Sequence, residues 1–243
     1  MKLGIMQPYF FPYLGHFALI AHTDQWVVFD ITQYTPKTYM SRNEVLKQNG
    51  GRQRIFAELN NASIHIKTHA ATLANPTKTH KQLLGSLSHY KKHAPHYFEV
   101  VRIVNETFES LAKSRQPQSL VQLNQTGLQA VCSYLNLPFH AVKASELKLN
   151  IPDSMLPGQW APLICKHLQA TGYINPIGGK GLFNRKDFDE AGVQAEFLEL
   201  PALLYETGAY PFEPNLSVLD VLMWCTPETI KEHLLTQAKT QSL

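Results

Sequence analysis

A run of glycines around one lysine is a clear candidate for anion chemistry in this sequence. Residues 177–183 read IGGKGLF, so Gly178 and Gly179 precede Lys180 directly after an apolar stretch. Glycines let backbone N–H groups approach phosphate oxygens, and a lysine adds a mobile positive charge. The run is not a Walker A loop, because its spacing is too short and no serine or threonine follows the lysine. It fits a phosphate-binding loop, and it also fits a tight turn with a surface lysine.

A second candidate is the sequence QPYFFPYLGH, which begins at Gln7. A short apolar strand ends there, and Gly15 begins a segment with helical periodicity. A phosphate or carboxylate at the start of this helix would be stabilised by the helix dipole and by unpaired N–H groups. Tyr13 and His16 then have two alternatives: they contact such a ligand, or they form a hydrogen-bonded pair in the core.

Charged residues after the second apolar run, residues 26–29, could contact a substrate. Arg42, next to Asn43, can hold a phosphate or carboxylate bidentately, or it can pair with Asp24 or Asp30 at the surface. Asp30 directly follows the apolar run. A carboxylate there either caps a neighbouring loop through N–H bonds or holds ligand hydroxyls or a metal ion.

Residues near the carboxyl terminus offer weaker candidates. Asp220 in the sequence LSVLD could contact substrate, but a helix with Ser217 as its N-cap also explains both residues. Cys225 has no adjacent base within its predicted helix and is not expected to be a nucleophile. The three cysteines are widely spaced without a CxxC pair, so we expect buried, reduced thiols rather than disulfides or a zinc ribbon.

Positive charge is concentrated in the middle of the chain, although the net charge is only +3. No acidic residue lies between Glu58 and Glu99, a stretch that contains five lysines and six histidines. A zinc site is not expected, because Pro95 interrupts the helix that would align the histidines and no thiol lies nearby. The surface is either simply solvated or attracts anionic partners such as sugar nucleotides, polyprenyl phosphates or RNA. Aromatic residues are too sparse there for sequence-specific RNA recognition.

The elements that must position these residues alternate between short apolar strands and amphipathic helices. This alternation predicts an α/β fold with a mostly parallel, Rossmann-like sheet, and a helical insertion at about residues 75–135. The length and the 44% hydrophobic content suit one α/β domain over residues 1–243. Main-sheet strands are predicted at Lys2–Met6 and at residues 26–29, 137–142, 173–177 and 193–198. We also predict a helix to Lys47, an antiparallel pair of residues 52–59 and 63–69, and a frayed tail after Gln237.

The hydrophobic segments are too short to predict a membrane-spanning helix. The start of the chain lacks the basic and apolar signature of a signal peptide. The expectation is a cytoplasmic protein that does not span a membrane.

The motifs at both ends of the chain resemble the WbqC-like family, which is found among bacterial polysaccharide and O-antigen biosynthesis genes. The residues that carry the resemblance are Gln7, Pro8, Phe10, Phe11, Pro12, Leu14, Gly15, the VVFD strand, Gln33, Tyr34, Arg42, Asn43, Tyr173, Gly179, Lys180, Phe188, Gly192, Phe212, Pro214, Leu216, Ser217, Leu219, Asp220 and Leu222. The resemblance implies a transferase or ligase that modifies amino sugars of lipopolysaccharide or other surface polysaccharides, for example by attaching glycine to a sugar amine.

The sequence PYLGH is also similar, more distantly, to the HxGH element of the nucleotidyltransferase and class I synthetase superfamily. VVFDITQY is similar to the second strand and following glutamine of pantothenate synthetases. In those proteins both motif histidines contact ATP phosphates. Here Tyr13 stands where the first histidine would be, and His16 is retained. The resemblance implies ATP with magnesium as cofactor and an acyl-adenylate attacked by the sugar amine.

Taken together, these resemblances imply roles for individual residues. His16 and Lys180 would be catalytic, by stabilising phosphate charge in the transition state. The nucleotide would be held by Gln7, Tyr13, Gly15, Gly178 and Gly179, and the substrate by Asp30, Gln33, Tyr34, Arg42, Asn43 and Asp220. The enzymatic hypothesis requires Gln7, Tyr13 and His16 to share one solvent-open hollow with Lys180. The alternatives are a non-catalytic module that binds a sugar nucleotide, or a nucleotidyltransferase.

Overall fold

The main sheet is mostly parallel and lies at the centre of the fold. A computed structural model describes residues 1–114, 118–152 and 154–243. The strands in these ranges are β1 (Lys2–Met6), β2 (Gln25–Val28), β3 (Arg42–Leu46), β4 (Arg52–Phe56), β5 (Ala141–Lys143), β6 (Gly172–Pro176), β7 (Gln194–Glu199) and β8 (Lys239–Ser242). Six of these described strands form one sheet in the order β5-β2-β1-β6-β7-β8, and only β8 runs antiparallel to its neighbour. The predicted Rossmann-like α/β sheet is confirmed.

Helices cover both faces of this sheet. They are α1 (Leu14–Ala21), α2 (Pro76–Leu87), α3 (Tyr97–Ala112), α4 (Leu120–Tyr134), α5 (Trp160–His167), α6 (Arg185–Ala191), α7 (Val218–Trp224) and α8 (Pro227–Thr236). The helices α2 to α4 form the predicted helical insertion. In the described part of the chain, none of the helices is long and apolar enough to cross a membrane.

The two faces of the sheet have separate hydrophobic cores, because successive side chains of a strand point to opposite sides. Trp26 and Val28 belong to the core that includes α1, the insertion, α7 and α8. Leu3, Ile5 and Val27 belong to the core beneath α5 and α6. We call these the α1 face and the α5 face. Two loops at the edge of the sheet can contact each other when they turn toward the same face.

A β-hairpin lies where part of the sequence predicted a helix. Residues 42–46 form β3 and pair with β4, so the predicted helix to Lys47 is wrong. The expected partner of β4, residues 63–69, is irregular and ends in a 3-10 helix at Thr68–Ala70. Gly50 and Gly51 turn the hairpin with φ angles of 89° and 76°, a region that favours glycine. β3 therefore buries Asn43 and Val45 on its inner side.

The tail of the chain is ordered, contrary to the prediction of fraying. Residues Lys239–Ser242 form β8 and pair antiparallel with β7. This pairing covers backbone groups that β7 would otherwise expose at the edge of the sheet. The polar sequence of β8, KTQS, lacks the apolar alternation that predicts a strand.

Candidate functional site

The loop after β1 is held in place by side chains from distant parts of the chain. The side-chain amide of Asn43 donates to the carbonyls of Phe10 (3.1 Å) and Phe11 (2.8 Å). Asn124 on α4 donates in the same way to the carbonyls of Pro8 (2.9 Å) and Met40 (2.7 Å). Ser217 and Val218 donate further hydrogen bonds to this loop. The amide of Asn43, a predicted substrate contact, is therefore engaged in supporting the loop.

Phe11 shows how closely this loop is specified. Its φ of 41° lies in the left-handed region, which a bulky residue rarely adopts. The Ser217 hydroxyl donates to the Phe11 carbonyl at 2.7 Å, and the Val218 N–H donates to the Pro12 carbonyl at 2.9 Å. Ser217 is also the N-cap of α7, as the sequence predicts, because its side chain accepts from the Leu219 N–H. The loop conformation thus depends on the start of α7.

Three tyrosines gather beside His16 at the carboxyl edge of the sheet. We call Tyr9, Tyr13 and Tyr39 the tyrosine cluster. The Tyr9 ring centroid lies 5.6 Å from that of His16 and 6.1 Å from that of Tyr39. Burial raises the pKa of Tyr9 and of Tyr13, and the neighbouring tyrosines raise both further. Their hydroxyls are consequently protonated donors at neutral pH, and 59% of Tyr39 and 38% of Tyr13 remain exposed.

His16 is buried and has no polar partner for its ring. The side chain is 1% exposed, and neither ring nitrogen has a hydrogen-bond partner in the part of the chain that the structure describes. The ring packs edge-on against Trp26, with centroids 5.0 Å apart. Burial lowers the pKa of His16 to about 3, so the imidazole is neutral at physiological pH. The expected cationic contact to phosphate therefore does not suit His16, although its two unsatisfied nitrogens suit a polar ligand group.

Tyr13 and His16 do not form the hydrogen-bonded side-chain pair that was one alternative. The contact between them is the backbone bond from the His16 N–H to the Tyr13 carbonyl, 3.1 Å long. The Tyr13 ring instead lies against Gly15, where an added Cβ would come within 2.4 Å of the ring. Gly15 is thus required for the packing of Tyr13, which covers the start of α1.

The outer side of the hairpin forms a cleft of about 170 Å³ that is rich in positive charge. We call this the basic cleft; its cationic lining residues are Lys37, Arg42 and Arg54, and Tyr39 lines it as well. Directly opposite residues of an antiparallel pair share a face, so Arg42, Glu44 and Arg54 project together. The basic cleft adjoins the tyrosine cluster through Tyr39.

The cations of the basic cleft are not neutralised by neighbouring protein groups. Among the described residues, the side chains of Lys37, Arg42 and Arg54 make no ion pair or hydrogen bond. Glu44, the carboxylate in the lining, accepts from Arg52 at 3.5 Å. The predicted alternative for Arg42, a surface pair with Asp24 or Asp30, is not formed. The arrangement favours an anionic ligand.

The remaining candidates of this region hold loops together. Gln7 contacts the tyrosine cluster. Its side-chain amide donates to Thr32 Oγ1 at 3.2 Å, and its side-chain oxygen accepts from the Tyr9 hydroxyl at 3.5 Å. Asp30 is fully buried and accepts from the Ser145 N–H (2.9 Å) and hydroxyl (2.7 Å), which is the loop-capping alternative. The buried Tyr34 hydroxyl donates to Ser41, and the Gln33 amide donates to the Ile64 carbonyl.

Lys180 lies on the other side of the sheet from His16. Its ammonium group donates to the Ser242 carbonyl at 2.7 Å and to Gln241 Oε1 at 3.2 Å, and it lies 5.8 Å from the ring centroid of Phe197. Phe197 belongs to the α5 face, whereas His16 lies on α1. The expected hollow shared by His16 and Lys180 is not formed, because the segment after β6 folds toward the α5 face.

The glycines before Lys180 have different surroundings. A Cβ on Gly179 would lie 2.3 Å from Asn175 Oδ1, so the backbone approaches that buried side chain closely. A Cβ on Gly178 would have no heavy atom within 4 Å. Both lie in a 3-10 helix at Ile177–Leu182, which is the tight-turn alternative for this segment. Both glycines therefore lie with Lys180 in this segment, away from the tyrosine cluster.

Asp220 forms a buried polar cluster rather than part of the basic cleft. It is fully buried and accepts hydrogen bonds from the hydroxyls of Tyr90 and Tyr205, the latter at 2.7 Å. Burial raises the pKa of Asp220, and these hydrogen bonds partly oppose that rise. The Leu46 N–H lies 3.4 Å from the same carboxylate, which connects α7 with the hairpin.

Sequence reasoning missed four residues of the site: Tyr9, Lys37, Tyr39 and Arg54. Lys37 and Tyr39 lie in the stretch TPKTYMS just before Arg42, which has neither the periodicity of a helix nor that of a strand. The alternation in RQRIF could have shown that Arg54 faces the same way as Arg52. Pairing β4 with the correct strand is needed to place Arg54 opposite Glu44 and near Arg42.

These features define a class: an α/β protein with a Rossmann-like sheet and a tyrosine-lined basic cleft at the carboxyl edge of its strands. The model of the WbqC-like protein family matches residues 7–232. The chain therefore belongs to the WbqC-like protein family. The uncharacterized protein Rv1507c of Mycobacterium tuberculosis (strain ATCC 25618 / H37Rv) is 25% identical over 224 residues, which cover 91% of this chain and 92% of that protein. No solved structure gives a significant match.

Proposed function

We propose that this protein binds an anionic sugar of the sugar-nucleotide class at the basic cleft and the tyrosine cluster. The observation that carries the proposal is a set of three cations that have no ion pair or hydrogen bond among the described residues and that line one cleft with the exposed Tyr39. These cations are Lys37, Arg42 and Arg54. A diphosphate satisfies such cations, and arginine holds phosphate oxygens bidentately.

The tyrosine cluster supplies the complementary part of the recognition. Aromatic rings offer flat apolar surfaces to a base or to the face of a sugar ring, and their hydroxyls donate to sugar oxygens. His16 provides a neutral donor and a neutral acceptor directly behind Tyr9. A ligand group or an ordered water that reached this ring would satisfy its buried nitrogens.

For the reaction, we propose modification of an amino sugar used in surface polysaccharides, which is what the family resemblance implies. In this role the basic cleft binds the nucleotide-linked amino sugar. Its amine attacks the carbonyl carbon of an activated acyl donor such as a glycyl ester or anhydride, the C–N bond forms, the activating group leaves, and the amine loses a proton. Arg42 and Gln7 are then positioning residues. Lys180 is not part of this proposal, because it is bonded to β8 on the α5 face.

The test of binding uses uridine diphosphate N-acetylglucosamine as the probe in isothermal titration calorimetry. We expect Arg42→Gln and Arg54→Gln each to weaken binding about tenfold or more, since each removes a charge-assisted contact to phosphate. Arg102→Gln is the matched control, because Arg102 is an exposed arginine of α3 that pairs with Glu106. Absence of binding by the wild-type protein, or equal binding by the Arg42 and control variants, would contradict the proposal.

ATP-dependent activation of the acyl group is the second candidate function. It rests on the resemblance of PYLGH to the HxGH element, with the two unsatisfied nitrogens of His16 as neutral hydrogen-bonding groups and without the contribution from Lys180 that the sequence predicted. The expected result is glycine-dependent release of pyrophosphate from ATP and magnesium, lost in His16→Ala and retained in the exposed-histidine control His65→Ala. Calorimetry that detects no ATP binding would reject this route while leaving sugar-nucleotide binding intact.

A further inference from the structure

A second and larger cleft lies at the turn of the β3–β4 hairpin, away from the basic cleft. Its volume is about 650 Å³, within the range of small-molecule sites. Three segments form it: the hairpin turn with Gln48 and Asn49, the 3-10 helix Ser88–Lys92 with the following His93, and residues 209–210. We call it the lysine cleft, after Lys91 and Lys92.

One wall of the lysine cleft is aromatic and well fixed. The Tyr210 ring packs edge-on against His93 (5.7 Å between centroids) and against His89 (5.8 Å). Its hydroxyl donates to the His89 carbonyl at 3.3 Å, and its N–H donates to the Thr207 carbonyl at 3.1 Å. Trp224 supports the same ring from behind, with centroids 6.1 Å apart. Tyr210 is only 9% exposed, so it fixes the wall from inside, and the exposed His93 ring is the part that a ligand would contact.

The charge of the lysine cleft is positive and unopposed by its lining. None of the described lining residues is acidic. Lys92 makes no ion pair or hydrogen bond to the residues that the structure describes, and the Lys91 ammonium lies 6.0 Å from the ring centroid of Phe98 rather than beside a carboxylate. In the same wall, His89 Nε2 is buried without a hydrogen-bond partner in the described part of the chain.

We propose that the lysine cleft is a second ligand site, which binds a phosphorylated sugar. Lys91 and Lys92 supply the charge for the phosphate, as compact ammonium groups do in many phosphate sites. The side-chain amides of Gln48 and Asn49 can donate to and accept from sugar hydroxyls, and the exposed His93 ring, fixed by Tyr210, can lie against the sugar ring.

This site is separate from the basic cleft. Arg42 lies at one end of the hairpin and Asn49 lies at its turn, and the two clefts share no lining residue. The protein can consequently bind two anionic ligands at once. Such an arrangement suits a transfer or modification that involves two phosphorylated sugars, or a site that senses one of them.

The test measures binding of glucose 1-phosphate to the full-length protein by isothermal titration calorimetry. The double variant Lys91→Gln/Lys92→Gln should bind at least about tenfold more weakly than the wild type. The control Lys81→Gln/Lys113→Gln removes the same charge from exposed lysines elsewhere and should bind normally. Arg102→Gln should also bind glucose 1-phosphate normally, because Arg102 lines neither the lysine cleft nor the basic cleft. All exchanged side chains are at the surface or half-buried, and a thermal melt of each variant checks its folding.

Several results would overturn the lysine cleft as a phosphorylated-sugar site. These are no detectable binding by the wild type and equal loss in the two double variants. Binding of oligouridylate without binding of glucose 1-phosphate would also overturn it and assign the surface to RNA.

Discussion

The loop after β1 and the segment after β6 occupy equivalent places in the fold, yet they differ in what they leave available. Both follow neighbouring parallel strands and precede or contain the start of a helical turn, where anion sites are common in open α/β sheets. Beside the β1 loop, Arg42 and Arg54 have no anionic partner among the described residues. After β6, Lys180 already donates to the Ser242 carbonyl and to Gln241.

The difference shows that loops at the carboxyl edge of a parallel sheet can turn toward either face of the sheet. The β1 loop turns toward the α1 face, and the β6 segment turns toward the α5 face. Residues that follow adjacent strands can thus be kept apart by the sheet itself. A cation there is a candidate for ligand binding only if the protein leaves its charge unsatisfied.

The largest expected effect concerns the support of the β1 loop. Asn43→Ala removes three side-chain hydrogen bonds, two donated to the carbonyls of Phe10 and Phe11 and one accepted from the Glu44 N–H. The free energy of unfolding should therefore fall by about 2–4 kcal/mol. Urea unfolding measures this change. Gln53→Ala, in the partner strand, is the control, with an expected loss below about 1 kcal/mol. A loss as small as that of the control would mean that the loop does not depend on Asn43.

His16→Phe tests whether the His16 ring is buried without hydrogen-bond partners. At pH 7 the variant should be about 1 kcal/mol more stable, because it removes two buried nitrogens without partners. The folded-state pKa of His16, about 3, lies below the unfolded value of 6.5, so the unfolded chain binds more protons as the pH falls through 6.5. The wild type therefore loses stability as the pH falls below 6.5. The variant has no histidine at this position and does not show this loss.

The stability difference between His16→Phe and the wild type should accordingly grow by about 2 kcal/mol from pH 7 to pH 5. Urea unfolding at the two pH values checks it, with the exposed His65→Phe as a control that shows no such growth. Parallel pH curves for His16→Phe and the wild type would show that His16 is not buried in its neutral form.

A matched pair of glycine substitutions sharpens the account of the β6 segment. Gly179→Ala should destabilise the fold by about 1–2 kcal/mol, because the new methyl group displaces Asn175 from its 2.6 Å bond to the Tyr173 hydroxyl. Gly178→Ala should change stability by less than about 0.5 kcal/mol, since nothing lies within 4 Å of the added carbon. Thermal melts compare the two. Reversed effects would mean that the segment packs differently.

Sequence reasoning reached the sheet and its main strands because buried parallel strands are continuous apolar runs, such as WVV in β2. It missed β3 because RNEVL has a polar outer face that resembles a short helix or loop, and it missed β8 because KTQS is fully exposed. Pairing partners decide both strands, and pairing is not encoded locally.

The candidate site was predicted in part for the same reason. Gln7, Tyr13, His16 and Arg42 lie in or beside one region, as expected from their place after β1 and β2. Ser145 bonds to Asp30, Tyr90 to Asp220, and Gln241 and Ser242 to Lys180. Each of these partners lies more than 60 positions away in the sequence, so spacing within a motif could not reveal them.

The most direct test of the account compares Arg42→Gln with Lys180→Gln in the binding of uridine diphosphate N-acetylglucosamine, measured by isothermal titration calorimetry. Each variant removes one positive charge, Arg42 at the start of β3 and Lys180 in the segment after β6. The account predicts that Arg42→Gln binds at least about tenfold more weakly and that Lys180→Gln binds within about twofold of the wild type. Normal binding by Arg42→Gln together with lost binding by Lys180→Gln would contradict it.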